Sequence, residues 1–193
     1  MRKLANISII LAIGLGVGGV SAWMAVEADN SFGSVKIGQW TSWPLAGSTD
    51  ADPYTRARVA KDGLVPLGAA EGLAFYLTTD QFGKPLDREC QYEIIGATPP
   101  ARLWTLSAQD QNKRTIESET GVENTAFSQT LLRRQDGTFS INIGSQPAPG
   151  NWLSISGKGP MRFVIRLYDT PITGSAALAE PVMPKIINRD CIE

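Results

Sequence analysis

From residue 72 onward, apolar residues recur at every second position: Leu73, Phe75 and Leu77 alternate with Ala74, Tyr76 and Thr78, and Tyr92 and Ile94 flank Glu93. A period of two sends successive side chains to opposite faces of an extended chain, so these segments are predicted as strands. Phe139, Ile141 and Ile143 form another such face with Ser140 and Asn142 outward. A last predicted strand runs from Met161 to Tyr168, with Met161, Phe163, Ile165 and Leu167 on one side and Arg162, Val164, Arg166 and Tyr168 on the other. Asp80 to Gly83 and Asp136-Gly137 supply hairpin turns, the second between Leu131-Leu132 and the Phe139 strand. Breaks at Pro99-Pro100, Pro147 to Gly150 and Gly157 to Pro160 separate the strands. The pattern predicts an all-β fold with minor α, a jelly-roll-like β-sandwich rather than βαβ units. No internal repeat or low-complexity tract is evident.

Upstream the period changes. Ser31 to Gly47 is a Gly/Ser/Trp-rich lead with a short strand predicted over Val35 to Trp40. Asp52-Pro53 then opens the clearest helix outside the N-terminal segment. Asp52 suits the N-cap, Pro53 the first turn and Gly63 the end, and Tyr54, Ala57, Ala60 and Leu64 form its apolar face. Before this lead, Ile7 to Val26 is 20 residues without a charge, preceded by Arg2 and Lys3 and followed by Glu27 and Asp29. At ~1.5 Å per residue such a helix crosses the ~30 Å hydrocarbon core.

The positive flank lies only before this segment, which predicts a cytoplasmic N-terminus. The expectation is a single-pass protein of the bacterial inner membrane, with residues 1–28 as anchor or signal segment and residues 29–193 as one periplasmic domain. A cleaved signal peptide remains the alternative, with small residues at Ala22 and Ala28. The length of the run and the interfacial position of Trp23 favour the anchor. Gly14, Gly16, Gly18 and Gly19 follow no strand and make no phosphate loop; Gly14 and Gly18 have the spacing of close helix packing in lipid.

Composition narrows the chemistry. The 193 residues are 42% hydrophobic and 19% charged, which fits a folded domain. The chain has no histidine, which excludes Ser-His-Asp and Cys-His catalysis and His-ligated zinc. Beyond residue 28 the chain carries 16 basic and 18 acidic residues with no basic stripe, so no nucleic-acid partner is expected. Cys90 and Cys191 are the only cysteines, and in an oxidising compartment they are expected to pair. Two free thiols are the alternative.

Several segments resemble a known family in order and spacing: Pro100-Ala101-Arg102-Leu103-Trp104-Thr105-Leu106-Ser107 ending at Asp110, Asp136-Gly137 with its following strand, Asn151-Trp152-Leu153, and Arg166-Leu167-Tyr168. Gly38-Gln39-Trp40 and Asp52 to Ala57 resemble the lead-in of its short, membrane-anchored members. The family is the bacterial domain of unknown function 1214. Gln109 stands where the family usually has Tyr, and Ser154 where Pro is common. The resemblance implies a jelly-roll-like fold and a partner carrying the domain of unknown function 1254. It brings no catalytic residues.

Arg102, Trp104 and Leu106 alternate onto one side of their strand, and Arg166 and Tyr168 onto one side of the last. Guanidinium groups beside aromatic rings on one concave face would hold a carboxylate or a glycan. With Asp110 and Trp152 these residues form the candidate ligand-binding set. The alternative is that the arginines pair with structural acids such as Asp110 while Trp104 lies in the core, with Trp152 as packing or rim. An acid–base enzyme would draw on Glu71, Asp80, Glu93 or Asp110, in the manner of a carboxylate-dependent hydrolase or lyase on an envelope saccharide. No spacing selects two of them. Asp50 and Asp52 do not make a calcium loop, and no metal or cofactor is implied. The reading is therefore an envelope module that binds a small ligand, a glycan or a partner.

Overall fold

The computed structural model describes residues 2–27, 32–68, 70–118, 123–173 and 181–191. Helix α1 (Arg2–Glu27) holds the uncharged run, and its Lys3–Glu27 portion is long and apolar enough to cross a membrane, with none of its most apolar window buried. The expected strand over Val35 to Trp40 is instead a hairpin. Strands β1 (Val35–Ile37) and β2 (Trp40–Ser42) turn about Gly38-Gln39, where Gly38 takes φ 59°, a left-handed conformation that glycine adopts without steric cost.

Helix α2 (Pro53–Asp62) starts and stops where its signals predict. The Asp52 carboxylate accepts from the Tyr54 and Thr55 N–H groups at 2.9 and 3.1 Å, and Gly63 closes the helix at φ 58°. The face it buries differs from the predicted one. Thr55 is buried and Arg58, Val59 and Asp62 are half-buried, whereas Tyr54, Ala57 and Ala60 are exposed. The polar face turns inward because it has partners there: Arg58 lies over the Trp43 ring at 4.6 Å and Asp62 pairs with Lys113.

The remaining strands are β3 (Gly72–Leu77), β4 (Cys90–Gly96), β5 (Leu103–Gln109), β6 (Thr125–Phe127), β7 (Phe139–Gly144), β8 (Asn151–Ser154), β9 (Arg162–Tyr168) and β10 (Lys185–Cys191). A 3-10 turn at Pro171–Thr173 follows β9. They form two sheets, β1-β2-β3-β9-β5-β6 and β10-β4-β7-β8, antiparallel except for β7–β8. The β-rich sandwich and the helices before it agree with the sequence expectation. The chain continues past the Met161–Tyr168 strand, the last that alternation predicts, into a further strand, β10.

The sheets enclose one core. Leu73, Phe75 and Leu77 of β3, Phe163, Ile165 and Leu167 of β9, and Trp104 and Leu106 of β5 meet Tyr92 and Ile94 of β4 and Phe139, Ile141 and Ile143 of β7. Two aromatic pairs bridge the seam: Tyr92 meets Phe163 edge-on at 5.9 Å, and Trp104 meets Phe139 at 4.9 Å. Each such pair contributes roughly 0.5–1.5 kcal/mol beyond its buried area.

Strand β10 is tied down at both ends. The Trp40 indole N–H donates to the Pro184 carbonyl at 2.6 Å, and the Asn188 side-chain amide donates to Asp80 at 3.2 Å. Cys90 and Cys191, partners in the β4–β10 register, are joined by a disulfide that closes 101 residues. Replacing both cysteines by serine is expected to lower unfolding stability by about 2–4 kcal/mol. Chemical denaturation of the two proteins measures the difference, and reductant is expected to bring the wild type to the level of the variant.

Candidate functional site

The six residues singled out from the sequence do not converge. Trp104 is 2% exposed on the inner face of β5, against Phe139. The β5–β9 register pairs Trp104 with Leu167 and Thr105 with Arg166. Paired residues share a face, so Arg166 and Tyr168 lie on the opposite side of the sheet from Trp104. Arg102 precedes β5 and pairs with Asp169 at 3.1 Å rather than with Asp110, both side chains more than two-thirds exposed. Asp110 accepts from the Arg114 N–H at 2.9 Å in the turn after β5. Trp152 donates to the Gly144 carbonyl at 3.2 Å and borders a cavity of about 260 Å³ between β6 and β8. The convergence expected on one concave face is thus corrected by the register.

The two departures from the family pattern also have structural roles. Gln109 is buried and accepts from Arg162 Nε and Nη2 at 3.0 and 2.7 Å, while the guanidinium lies over Tyr76 at 4.9 Å. Ser154 accepts from the Ser118 hydroxyl at 2.9 Å. Arg162 and Lys113 border a cavity of about 230 Å³ that Asp110 also lines. Burial pushes the Lys113 ammonium down, assisted by Arg162, Lys61 and Arg58 nearby.

Each candidate carboxylate is engaged in holding the fold. Glu71 accepts from the Gly68 N–H at 3.0 Å. Burial pushes Asp80 up, but donation from Asn188 and the Phe82 and Lys84 N–H groups outweighs it and leaves the carboxyl below its ordinary value. Glu93, 8% exposed, accepts from the Ser140 hydroxyl and from Arg189, which together hold its carboxyl below the usual range despite desolvation. Among the described residues, no group of three or more His, Cys, Asp or Glu is placed to hold a metal ion.

A larger cavity lies elsewhere. Registers place Ser42 opposite Val35 and Phe75, and Trp40 opposite Ile37, so Val35, Ile37, Ser42 and Phe75 all face inward. At the start of β2, Pro184 just before β10 accepts the Trp40 hydrogen bond, and the Ile186 N–H of β10 reaches Gln39 at 3.4 Å. Beyond it the inner face of β1–β3 borders a groove of about 500 Å³. Leu45, Leu73 and Ile172 complete most of its apolar wall among the described residues; Lys36 also borders it, but alternation from Val35 and Ile37 turns its side chain to the other face of β1. Ser42 is already committed, donating to the Ala74 carbonyl at 2.8 Å. This chemistry suits an apolar ligand or side chain and offers no carboxylate pair.

Sequence reasoning missed this groove. Its signal was present in Val35, Ile37 and Leu45, apolar residues in a lead otherwise rich in Gly, Ser and Trp. Their common face becomes apparent only once the Gly38 hairpin is recognised.

A family described as a protein of unknown function, DUF1214, matches residues 71–172. The chain belongs to the DUF1214 family. The groove thus joins one wall inside the DUF1214 region, Leu73, Phe75 and Ile172, to a second wall from the lead before it. Among solved structures, the chain is similar to a Vibrio parahaemolyticus protein, with TM-score 0.57 and 19% identity over 73% of this chain and 36% of that one. An uncharacterised protein from Burkholderia cenocepacia gives TM-score 0.45 and 16% identity over 94% of this chain and 52% of that one. The chain therefore spans about a third to a half of the length of these two structures. The first likeness supports the sandwich fold of the chain. No curated protein matches the chain.

The lowered Glu93 value sets a pH dependence. A carboxyl whose folded value lies below the ordinary 4.5 stabilises the fold fully above that pH, and the contribution is lost as pH falls through the folded value. Glu93→Gln is expected to cost roughly 1–3 kcal/mol at neutral pH. In urea denaturation the gap between wild type and variant should narrow as pH falls from about 5 to about 3. A gap that stays constant over that range would remove the ionised Glu93 from the account.

Proposed function

We propose that the protein is a membrane-tethered module of the bacterial envelope whose sandwich, residues 29–193, lies on the periplasmic side and binds an apolar ligand in the groove beneath β1–β3. The observation that carries this reading is the groove itself. At about 500 Å³ it falls within the ~300–1,000 Å³ of small-molecule sites, and its described wall is mostly apolar. The positive flank of Arg2 and Lys3 before α1 supports the orientation, as does a bonded cysteine pair, which persists in oxidising compartments.

A second reading comes from the family resemblance, which implies a partner protein carrying the 1254-type domain as a second candidate to cover the groove. Co-purification of such a protein with the full chain from solubilised envelopes would support it.

Native mass spectrometry of the full chain released from membranes tests the ligand reading. The expected result is a non-covalent adduct of small-molecule mass on the wild type that is absent from Leu45→Trp. Leu45 is 47% exposed, so the larger ring fills the groove mouth without entering the core. Wild-type protein free of any adduct, or an adduct that survives the substitution unchanged, would contradict the proposal.

A further inference from the structure

Among the described residues four strands lie at sheet edges, and β10 is the longest of them, with seven residues against three in β1, three in β6 and four in β8. A long edge strand carries a row of backbone donors and acceptors that a strand of another chain can pair with. In β10 one side of the backbone pairs with β4, and the other is the outer edge of the narrower sheet.

That outer edge is met by two turns of the wider sheet. From the Gly38-Gln39 turn, Gln39 Oε1 accepts from the Ile186 N–H at 3.4 Å. From the Asp80–Gly83 turn, Gln81 Oε1 accepts from the Asn188 N–H at 2.7 Å. N–H groups two residues apart point to the same side of a strand, so both donors belong to one edge. Pro184, two residues before Ile186, has no N–H to offer, and its carbonyl accepts from the indole of Trp40, the neighbour of Gln39, at 2.6 Å. Past Asn188 the register slips at Arg189, and the strand then ends at the disulfide to Cys90. A proline, capped donors and a bulge each hinder the addition of a further strand. Here they follow one another along a single edge.

We infer that Gln39 and Gln81 close the outer edge of β10, so that it does not take up the β10 strand of a second copy. Two such edges related by a twofold axis would offer each other the same donors and acceptors, and the glutamine side chains occupy those donors first. Gln81, with the shorter bond, carries most of the effect. The inference is independent of what fills the groove.

The first test is residue-resolved hydrogen exchange by mass spectrometry on the full chain, dilute in mild detergent. The Ile186 and Asn188 amides are expected to be protected in the wild type. Gln81→Ala should speed exchange at Asn188 several-fold, while Gln81→Glu, which keeps an acceptor oxygen, should hold it near the wild-type rate. A wild-type Asn188 amide that exchanges as fast as an open loop overturns the inference, whether or not any variant folds. So does a rate that Gln81→Ala leaves unchanged.

The second test raises the concentration and mixes unlabelled with isotope-labelled protein, so that a lysine-reactive crosslinker reads contacts between copies. The double variant Gln39→Ala/Gln81→Ala should give several-fold more Lys185–Lys185 crosslinks between copies than the wild type. An equal yield from the two proteins overturns the inference, as does a wild type already crosslinked through Lys185 to the level of the variant.

Discussion

The packing of two sheets of unequal width governs the rest of this structure. Six strands face four, and burial of apolar surface between them, at about 25 cal/mol per Å², is the principal force holding the domain together. Across the seam β9 lies against β4 through Phe163 and Tyr92, and β5 against β7 through Trp104 and Phe139. Strand β10 reaches β2 at Trp40. The narrower sheet ends there. Among the described residues, no strand faces the inner side of β1 and the adjoining parts of β2 and β3, and the groove follows from that mismatch.

The polar groups that attracted notice as chemistry act mainly to hold the narrow sheet in place. Glu93 joins β7 and β10 through Ser140 and Arg189, and Asp80 receives Asn188 near the end of β10. The disulfide fastens the same strand to β4. A carboxylate buried with charged and hydroxyl donors is well satisfied, and its ionised form is stabilised rather than poised for proton transfer near neutral pH. The position of β10, and so the border of the groove, depends on this set of contacts.

Much of the sandwich was legible because a period of two marks half-buried strands directly. Leu73 to Leu77, Tyr92 to Ile94, Phe139 to Ile143 and Met161 to Tyr168 all enter the core as their alternation predicts. The caps of α2 were legible for the same local reason, since Asp52 and Gly63 satisfy the helix ends within a few residues. Its buried face was not, because Arg58 and Asp62 are drawn inward by Trp43 and Lys113, which the chain supplies from distant positions. Strand β10 escaped notice because Ile186 is its only fully buried apolar residue and its place depends on pairing with β4. The candidate site failed at register. Trp104 and Arg166 each have a face that alternation defines within its own strand, but only the pairing of Trp104 with Leu167 shows that the two faces are opposite.

On the proposed function, the overhang of the wider sheet forms an apolar groove that is filled in the native membrane. A crystal structure of the full chain extracted from membranes in mild detergent tests this most directly. Elongated density is expected against Leu73 and Phe75, bounded by Val35, Leu45 and Ile172. A groove closed by the protein's own side chains, with β1 folded down onto Phe75 and no space between them, would contradict it.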